Sequence, residues 1–343
     1  MKTTPAVRPL EIVGGGLAGL SLGLALRNAG VPVTVLEAGD YPRHRVCGEF
    51  ITGLDSATID RLGLAPLLAD ALSHREVAWF TGEGPPVIQH LPAPARGISR
   101  HRLDARLAAA FVAAGGELRT RTRVTDPVPA PGRIFATGRR RAHSTWLGLK
   151  FHAWNLRLTR DLELHLGEQA YVGLSLVENG RVNVCGLFRR RKLPGRDAGI
   201  LPAYLRASGL ATLAARLAAA EIDDESFCSV AAVSFDRRVP PADRVCLGDA
   251  WAMIPPFTGN GMAMALQSAE TALGPLLAYS RGRNSWPETC RVVHTRLRHR
   301  FRLRLASAGA LHPFLLRPSG QRWLMALSRA RLLPLRPLYT LLH

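Results

Sequence analysis

A glycine-rich turn near the start of the chain has the residue types and spacing of a nucleotide-binding loop. It reads Gly14-Gly15-Gly16-Leu17-Ala18-Gly19 and lies between a short apolar run and a helical pattern that extends to about Asn28. Gly14 permits a tight turn, Gly16 leaves room for a pyrophosphate, and Gly19 lets the helix pack closely on the strand. The helix N-terminus at Leu17 and Ala18 presents free N–H groups to the phosphates.

An acidic residue follows at the distance that this interpretation requires. Glu37 lies 18 residues after Gly19, at the end of a second apolar strand, where its carboxylate can accept hydrogen bonds from both hydroxyls of an adenosine ribose. The uncharged run 12–26 is about 15 residues long and falls short of the roughly 20 needed to span a bilayer. A dinucleotide site is therefore predicted, with a glycine turn that binds no ligand as the alternative. The fingerprint alone does not decide between FAD and NAD.

A second stretch, 243–270, has the same strand, turn and helix order. An apolar strand leads into Gly248-Asp249, a loop follows over 256–261, and a helical pattern begins at Met262. Without a ligand this would be a βα turn capped by an aspartate.

At this point the chain resembles the FAD-dependent family that includes para-hydroxybenzoate hydroxylase-like aromatic hydroxylases, geranylgeranyl reductases and flavin-dependent halogenases. The resemblance implies that Asp249 hydrogen-bonds the ribityl chain of FAD. It also implies that the loop brings backbone N–H groups and the N-terminus of a helix to the N1/O2 edge of the flavin. The loop and helix residues assigned to the cofactor in this way are Pro256, Gly259, Asn260, Gly261 and Met262.

A third match covers 97–124, where a helix is followed by Gly115-Gly116 and a strand. By resemblance, Arg100 lies near the flavin phosphates or ribityl chain, and Val124 ends the strand whose backbone faces the adenine. The alternative for Arg100 is a solvated surface arginine.

The loop 38–50 resembles the Pro-x-x-x-x-Cys-Gly-Glu loop of geranylgeranyl reductases, which places Cys47 and Gly48 beside the isoalloxazine. Cys47 is a candidate proton donor or modulator of the flavin, and nearby Arg43 and Arg45 would lower its pKa if they are also close in space. Arg45 is assigned to the cofactor site and Glu49 to catalysis. The alternatives are a small buried residue at Cys47 and a loop-orienting role for Glu49.

The middle of the chain changes to short runs of alternating apolar and polar residues, which predicts an antiparallel sheet over 146–190. His101, His152 and His165 are acid–base candidates only if they face a cavity; structural histidines are the alternative. The predicted fold is α/β, with a Rossmann-like FAD-binding domain, an inserted antiparallel β-sheet substrate domain and a helical C-terminal region. The predicted boundaries are 1–75, 97–145 and 240–280 for the FAD-binding domain, 76–96 and 146–239 for the substrate domain, and 281–343 for the C-terminal region.

Charge is concentrated at the C-terminus. The chain has 45 basic and 26 acidic residues, a net charge of +19, and residues 281–343 contain 13 arginines against the single acid Glu288. Leucines at helical spacing predict basic amphipathic helices that either cap the FAD domain or dock on an anionic membrane or an acidic carrier protein. No nucleic-acid-binding motif accompanies the charge. Five cysteines without a CxxC pair suggest neither a disulfide framework nor a zinc site and favour a cytoplasmic protein, and no metal is predicted. The basic tail adds possible peripheral contact with a membrane.

The sequence favours a monooxygenase that uses NAD(P)H and O2 on an aromatic or polyketide-like apolar molecule. The alternatives are a reductase of isoprenoid or lipid double bonds and an electron-transferring flavoprotein that docks through its basic tail. Aromatic hydroxylases carry a GADG stretch that touches FAD and NADPH, whereas this chain has Ala136-Thr137-Gly138 followed by Arg139, Arg140 and Arg141. The lost aspartate weakens the case for direct reduction by NADPH.

Overall fold

Two β-sheets of different kinds organise the chain in this computed structural model, which describes residues 7–82, 84–125, 128–139, 143–192, 199–235, 240–332 and 335–342. In chain order the strands are β1 (Leu10–Val13), β2 (Val33–Leu36), β3 (Phe50–Ile51), β4 (Leu72–Thr81), β5 (Val87–Gly97), β6 (Glu117–Arg119), β7 (Arg133–Phe135), β8 (Trp146–Trp154), β9 (Leu162–Gly167), β10 (Ala170–Leu176), β11 (Val182–Arg189), β12 (Glu221–Val233) and β13 (Val245–Cys246). The helices are α1 (Leu17–Asn28), α2 (Ser56–Leu62), α3 (Arg100–Ala113), α4 (Ile200–Ala207), α5 (Ala211–Ala218), α6 (Gly261–Ser280), α7 (Trp286–Leu315), α8 (Pro318–Arg329) and α9 (Leu335–Leu342).

The first sheet is parallel and has the strand order β13-β7-β1-β2-β6. Helix α1 packs against α3 and α6, and its apolar residues are buried along nearly its whole length. Phe111 of α3 is fully buried and fills the space that side chains at Gly23 and Gly116 would occupy. The predicted Rossmann-like α/β layer is confirmed.

Two glycines of the first turn are required by close backbone contacts. Gly14 has φ +110°, and a Cβ there would lie 2.2 Å from the carbonyl oxygen of Ala136. A Cβ on Gly19 would lie 2.0 Å from the carbonyl oxygen of Gly14. The first contact holds the turn against β7, and the second holds α1 against the turn.

The second sheet has the order β12-β8-β11-β10-β9-β4-β5-β3 and is mixed, because β4 and β9 pair in parallel while its other pairings are antiparallel. The antiparallel pairing predicted for 146–190 is confirmed, and β4, from the segment that follows α2, adds the one parallel pairing. Strand β8 turns Leu147, Leu149 and Phe151 toward a core shared with α4 and α5. Gly148, Lys150 and His152 alternate with them and face the other way.

The strand after α3 ends earlier than the sequence predicts. β6 stops at Arg119, and Val124 lies in the loop beyond it, so the prediction that Val124 ends the strand is wrong. The reason is a turn at Arg121, which has φ +54° and donates its N–H to the carbonyl of Gly39. The backbone thereby leaves the ladder that β6 forms with β2.

The C-terminal helices pack on both halves of the molecule. Helix α7 packs on α6 and β13, α8 on β4 and β5, and α9 on α7 and β5. This packing is the cap that the sequence offered as one alternative for 281–343. Among the helices of the described residues, none combines the length and apolar content needed to cross a bilayer.

The cap buries one titratable side chain in an aromatic cluster. His312 of α7 is 7% exposed and lies against the rings of Trp146, Tyr171, Phe235 and Phe257. Burial lowers its pKa from 6.5 to about 4.

Between these two pKa values the unfolded chain binds a proton that the folded protein does not. The free energy of unfolding should therefore fall as pH is lowered from about 6.5 to about 4, and His312→Leu should remove up to about 1.4 kcal/mol per pH unit of that slope. Urea unfolding at a series of pH values measures both slopes. Equal slopes in the wild type and the variant would contradict this assignment.

Candidate functional site

One large cavity brings the sequence motifs together. It has a volume of about 1250 Å³ and lies at the carboxyl ends of the parallel strands, under the face of the second sheet that carries Tyr171 and Cys185. The open edge of such a sheet is where α/β folds bind nucleotides. The predicted residues that line the cavity are Gly14, Gly16, Leu17, Ala18, Glu37, Arg45, Cys47, Gly48, Arg100, Val124, Asp249, Pro256, Gly259, Gly261 and Met262. Gly19, Glu49 and Asn260 are not among its lining residues.

The start of α1 forms an anion cradle. Gly16 is the N-cap residue, and no side chain caps the first turn. The nearest atom to a Cβ built on Gly16 is Nη2 of Arg100, at 4.0 Å. Asp104 holds that guanidinium through two hydrogen bonds of 2.8 Å, and the Arg100 side chain is 13% exposed. Free helix N–H groups beside a fixed arginine suit a diphosphate, and the solvated-surface alternative for Arg100 is wrong.

Glu37 faces the cavity but also holds the glycine turn. Its carboxylate accepts hydrogen bonds from the N–H of Gly15 at 2.7 Å and of Gly39 at 3.0 Å. Arg43 Nη2 lies 2.5 Å from Oε1, the carboxylate oxygen that also accepts the hydrogen bond from Gly39. Ribose hydroxyls would share these oxygens, so Glu37 offers its remaining acceptor capacity to a ligand while it fixes the loop around it.

Asp249 lies on the cavity wall, and its side chain is exposed to the cavity. Burial raises the pKa of its carboxyl, and the positive charges of Arg100 and Arg139 oppose that rise. Helix α6 begins beside it at Gly261, and its N-cap residue Asn260 makes no side-chain capping bond. An acceptor and free helix N–H groups at one wall are what the ribityl chain and the N1/O2 edge of a flavin require.

Asn260 has a role that the sequence did not predict. Its side chain is fully buried, and Nδ2 donates to the carbonyl of Leu342 in α9 at 2.6 Å. Thr52 lies 3.4 Å from its Oδ1. The side chain therefore fastens the loop to the C-terminal helix, which leaves only the backbone of Asn260 for the predicted cofactor contact.

The loop 38–50 is anchored by a buried carboxylate. Glu49 is fully buried at φ +57°, and its oxygens contact His152 Nε2 at 2.6 Å, the N–H of Arg100 at 3.0 Å and Lys150 Nζ at 3.5 Å. Lys150 and His152 are also fully buried. Because the carboxylate faces this cluster instead of the cavity, the geometry favours the loop-orienting alternative for Glu49 over the predicted catalytic role.

His152 of this cluster also lies close to two other side chains that could bind a metal ion. Ligand atoms of His44, His152 and Asp223 lie within 4.8 Å of one another. Lys150 Nζ lies 3.2 Å from His44 Nδ1, however, and its positive charge opposes a cation at that place.

Cys47 lines the cavity as a protonated thiol. Burial raises its pKa, and the charge of Arg100 only partly offsets the rise, so the expectation of a lowered pKa is corrected. The physical reason is that the two arginines beside it in sequence are already paired, Arg43 with Glu37 and Arg45 Nε with Asp104 at 3.0 Å.

Several cavity residues were missed by the sequence analysis as site residues. Tyr171, Cys185 and Cys228 line the cavity from strands β10, β11 and β12. The alternation of those strands was visible in the sequence, but which face meets the cofactor depends on how the two sheets pack.

The predicted histidines separate into different environments. His101 stacks on His44, with ring centroids 4.5 Å apart, and His44 lines the cavity. His165 is paired with Glu163 at 2.9 Å and stacked on Phe80; Glu163 lines the cavity, whereas His165 is not among its lining residues. Ala136, Thr137, Gly138 and Arg139 line the cavity, whereas Arg140 and Arg141 lie outside the described residues.

Comparison with known proteins supports the nucleotide-binding assignment of the first motif. A family model described as the NAD(P)-binding Rossmann-like domain matches residues 12–47. The menaquinone reductase of Mycolicibacterium smegmatis is 29% identical over 137 residues, which are 36% of this chain and 32% of that protein. The menaquinone reductase of Mycobacterium tuberculosis is 32% identical over 101 residues, 28% of this chain and 24% of that protein. The chain thus spans about a third or less of the length of the curated relatives it matches.

Solved structures with this fold match nearly the whole chain. The flavin-dependent brominase Bmp2 has a TM-score of 0.72 at 16% identity and covers 97% of this chain and 93% of its own. PqsL of P. aeruginosa in complex with 2-aminobenzoylacetate has a TM-score of 0.71 at 16% identity, and the match covers 91% of this chain and 98% of PqsL. A geranylgeranyl bacteriochlorophyll reductase-like protein of Thermoplasma acidophilum has a TM-score of 0.68 at 17% identity, and the match covers 91% of this chain and 88% of that protein. The resemblance to flavin-dependent enzymes is confirmed at the level of the fold.

The buried pair of Glu49 and Lys150 generates a stability prediction. Lys150→Met leaves the carboxylate buried beside fewer partners, so it should lower the free energy of unfolding by about 3–5 kcal/mol. Adding Glu49→Gln should recover a substantial part of that loss, because the unpaired charge is then removed. Urea unfolding of the two single variants and the double variant measures the coupling.

A matched control is Lys192→Met, which changes an exposed lysine and should alter the free energy of unfolding by at most roughly 0.5 kcal/mol. Losses in the double variant equal to the sum of the single losses would contradict the pairing.

Asp249 should contribute directly to FAD affinity. Asp249→Ala removes a hydrogen bond to a charged acceptor and is expected to weaken FAD binding about tenfold or more. Quenching of FAD fluorescence on titration with the flavin-free protein measures the dissociation constant. Asp243→Ala is the matched control. Asp243 lies six residues before Asp249 in the same segment, is exposed and is paired with Arg244. Equal affinities of the two variants would rule out the assigned role.

Proposed function

We propose that the protein is an FAD-dependent reductase that saturates a carbon–carbon double bond in an isoprenoid-type lipid, with NAD(P)H as the source of electrons. The observation that carries the proposal is a protonated thiol, Cys47, on the wall of an apolar cavity beside the predicted flavin ring site. The curated relatives named menaquinone reductases support the reductase over the oxygenase that the sequence favoured.

The position of Cys47 relative to the flavin is inferred from the two loops that would hold the ring. A Cβ on Gly259 would lie 2.2 Å from the ring of Phe50, and a Cβ on Gly48 would lie 3.0 Å from the same ring. Phe50 therefore brings the loop that carries Cys47 against the loop that precedes α6. Both loops line the cavity at this point, which supports a flavin ring bound between them.

The remaining cofactor contacts would come from the residues described above. The α1 N-terminus and Arg100 would hold the diphosphate, Glu37 the ribose, and Asp249 the ribityl chain. Bound FAD supplies hydride transfer in both directions, from a nicotinamide to the flavin and from the flavin to a substrate carbon.

Cys47 would supply the proton that this reaction needs. As one alkene carbon accepts a hydride, the neighbouring carbon accepts the proton of the thiol, and two new C–H bonds replace the double bond. The thiolate then regains a proton from solvent, so the net change is alkene, NAD(P)H and a proton giving alkane and NAD(P)⁺. A raised pKa keeps the thiol protonated at neutral pH, which suits a general acid.

Oxygenation of an apolar or aromatic molecule is the second candidate. The wall opposite the nucleotide motifs is built largely from aliphatic and aromatic side chains, including Leu162, Leu164 and Leu174, and such a wall excludes water. The fold likeness to PqsL, solved with 2-aminobenzoylacetate, also favours it.

The two candidates are separated by an experiment without oxygen. The FAD-loaded protein is mixed anaerobically with NADPH and a menaquinone, and the lipid is analysed by mass spectrometry. The reductase should bleach the flavin and add two hydrogen atoms to the isoprenoid chain, and these should remain after air has reoxidised any quinol to the quinone. Cys47→Ala should bleach at the wild-type rate and lose at least tenfold in lipid reduction, whereas Cys290→Ala, a buried cysteine of α7, should retain both.

Other results would overturn the proposal in distinct ways. Turnover that requires air and adds one oxygen atom would establish the monooxygenase. Flavin that stays oxidised with NADPH but is reduced by a protein donor would establish the electron-transferring flavoprotein. Unchanged lipid reduction in Cys47→Ala would remove the thiol from the mechanism.

A further inference from the structure

We propose that the mouth of the cavity docks on an anionic lipid bilayer through α7 and α8, and that the apolar substrate enters the cavity from that bilayer. The docking surface consists of the exposed apolar residues Phe314, Trp323 and Leu327 with the arginines that flank them. Entry of the substrate rests on the proposed function, whereas the docking does not.

The cavity reaches the surface at this place. Phe314 and Leu327 line the cavity, and yet they are 41% and 36% exposed. Leu324 and Met325 of α8 continue the lining inward. Residues that belong both to the cavity wall and to the outer surface mark its rim, so the rim here is apolar.

Helix α8 has a further exposed apolar residue beside the rim. Trp323 is 66% exposed and lies one helical turn before Leu327, on the same side of the helix. Gln321 and Met325 are buried against the protein. An exposed tryptophan and leucine beside a cavity rim form a contiguous apolar area that marks an interaction site.

The charge around this surface selects an anionic partner. Residues 289–343 contain no aspartate or glutamate. Arg317, Arg322 and Arg329 are exposed on the α7–α8 hairpin, and at 100° per residue Arg322 and Arg329 lie together on the side of α8 away from Leu327. Each arginine close to an anionic membrane strengthens binding about fivefold.

A bilayer fits this pattern better than an acidic protein does. Basic amphipathic helices lie in the lipid interface with aromatic and leucine side chains buried roughly 5–10 Å and arginines reaching the head groups. The rim residues would then open the cavity directly onto acyl chains. An isoprenoid lipid could then pass from the bilayer into the cavity without crossing water. If the rim faced water instead, the lipid would have to leave the bilayer first.

The test uses flotation of the FAD-loaded protein with vesicles. Vesicles of phosphatidylcholine alone are compared with vesicles in which a third of the lipid is phosphatidylglycerol, over a range of salt concentrations. The protein should float with the anionic vesicles and be released by salt. The double variant Trp323→Ser/Leu327→Ser should lower the partition coefficient about tenfold or more.

Matched variants separate the docking surface from general basicity. Arg317→Gln/Arg322→Gln should weaken flotation at least tenfold. Arg291→Gln/Arg298→Gln removes the same charge roughly 25–35 Å away along α7 and should change it much less. Val112→Ser, an exposed apolar residue of α3, is the control for the apolar substitutions.

Absence of flotation, or equal losses in the two arginine pairs with no effect of the apolar pair, would overturn the docking surface. Retention by an acidic protein without flotation would overturn the choice of a bilayer. With menaquinone as the probe, Trp323→Ser, which lies outside the cavity lining, should lose activity when the lipid is in vesicles and keep it in detergent micelles. Loss in both media would overturn bilayer entry, and wild-type inactivity in both media with flotation intact would count against the proposed function alone.

Discussion

The arrangement of the site depends on one buried carboxylate. Glu49 belongs to the loop after β2, yet its oxygens contact Lys150 and His152 of β8 and the backbone of Arg100 at the start of α3. These contacts join the nucleotide-binding layer to the mixed sheet above it. A carboxylate removed from water is stable only while such partners surround it, so the relative placement of the two layers is tied to this one group.

Fixing Glu49 also fixes the residues beside it in sequence. The carbonyl of Gly48 accepts a hydrogen bond from Ser175 Oγ at 2.7 Å, and the carbonyl of Cys47 accepts one from Asn183 Nδ2 at 3.0 Å, so the loop lies under β10 and β11. The thiol of Cys47 is thereby held at the cavity wall, where burial raises its pKa. A loop that touched only the nucleotide-binding layer could place a cysteine at the cavity wall, but it could not hold the thiol in a fixed position relative to the mixed sheet.

The sequence predicted the parts of this arrangement that are local. The turn at Gly14 and the loop after Asp249 are short segments whose residue types determine their backbone, and both lie where the spacing indicated. Lys150 was not predicted as the partner of Glu49, because about a hundred residues separate them and nothing in either segment specifies the pairing. The same limit applies to Arg43, whose proximity to Cys47 in sequence suggested a lowered thiol pKa. In space its charge is taken up by Glu37.

The basic tail illustrates how one segment serves two demands. The buried residues of α7, such as Val293, Leu297 and Phe301, belong to the same core as α1 and α6, which accounts for the leucine spacing in the sequence. That requirement is met by one face of each helix and leaves the opposite face unconstrained. Arginine on the free face of α7 costs little, because its guanidinium stays in solvent. Tryptophan on the free face of α8 exposes apolar area with no gain from folding, so folding alone does not account for Trp323, and a partner that covers it would.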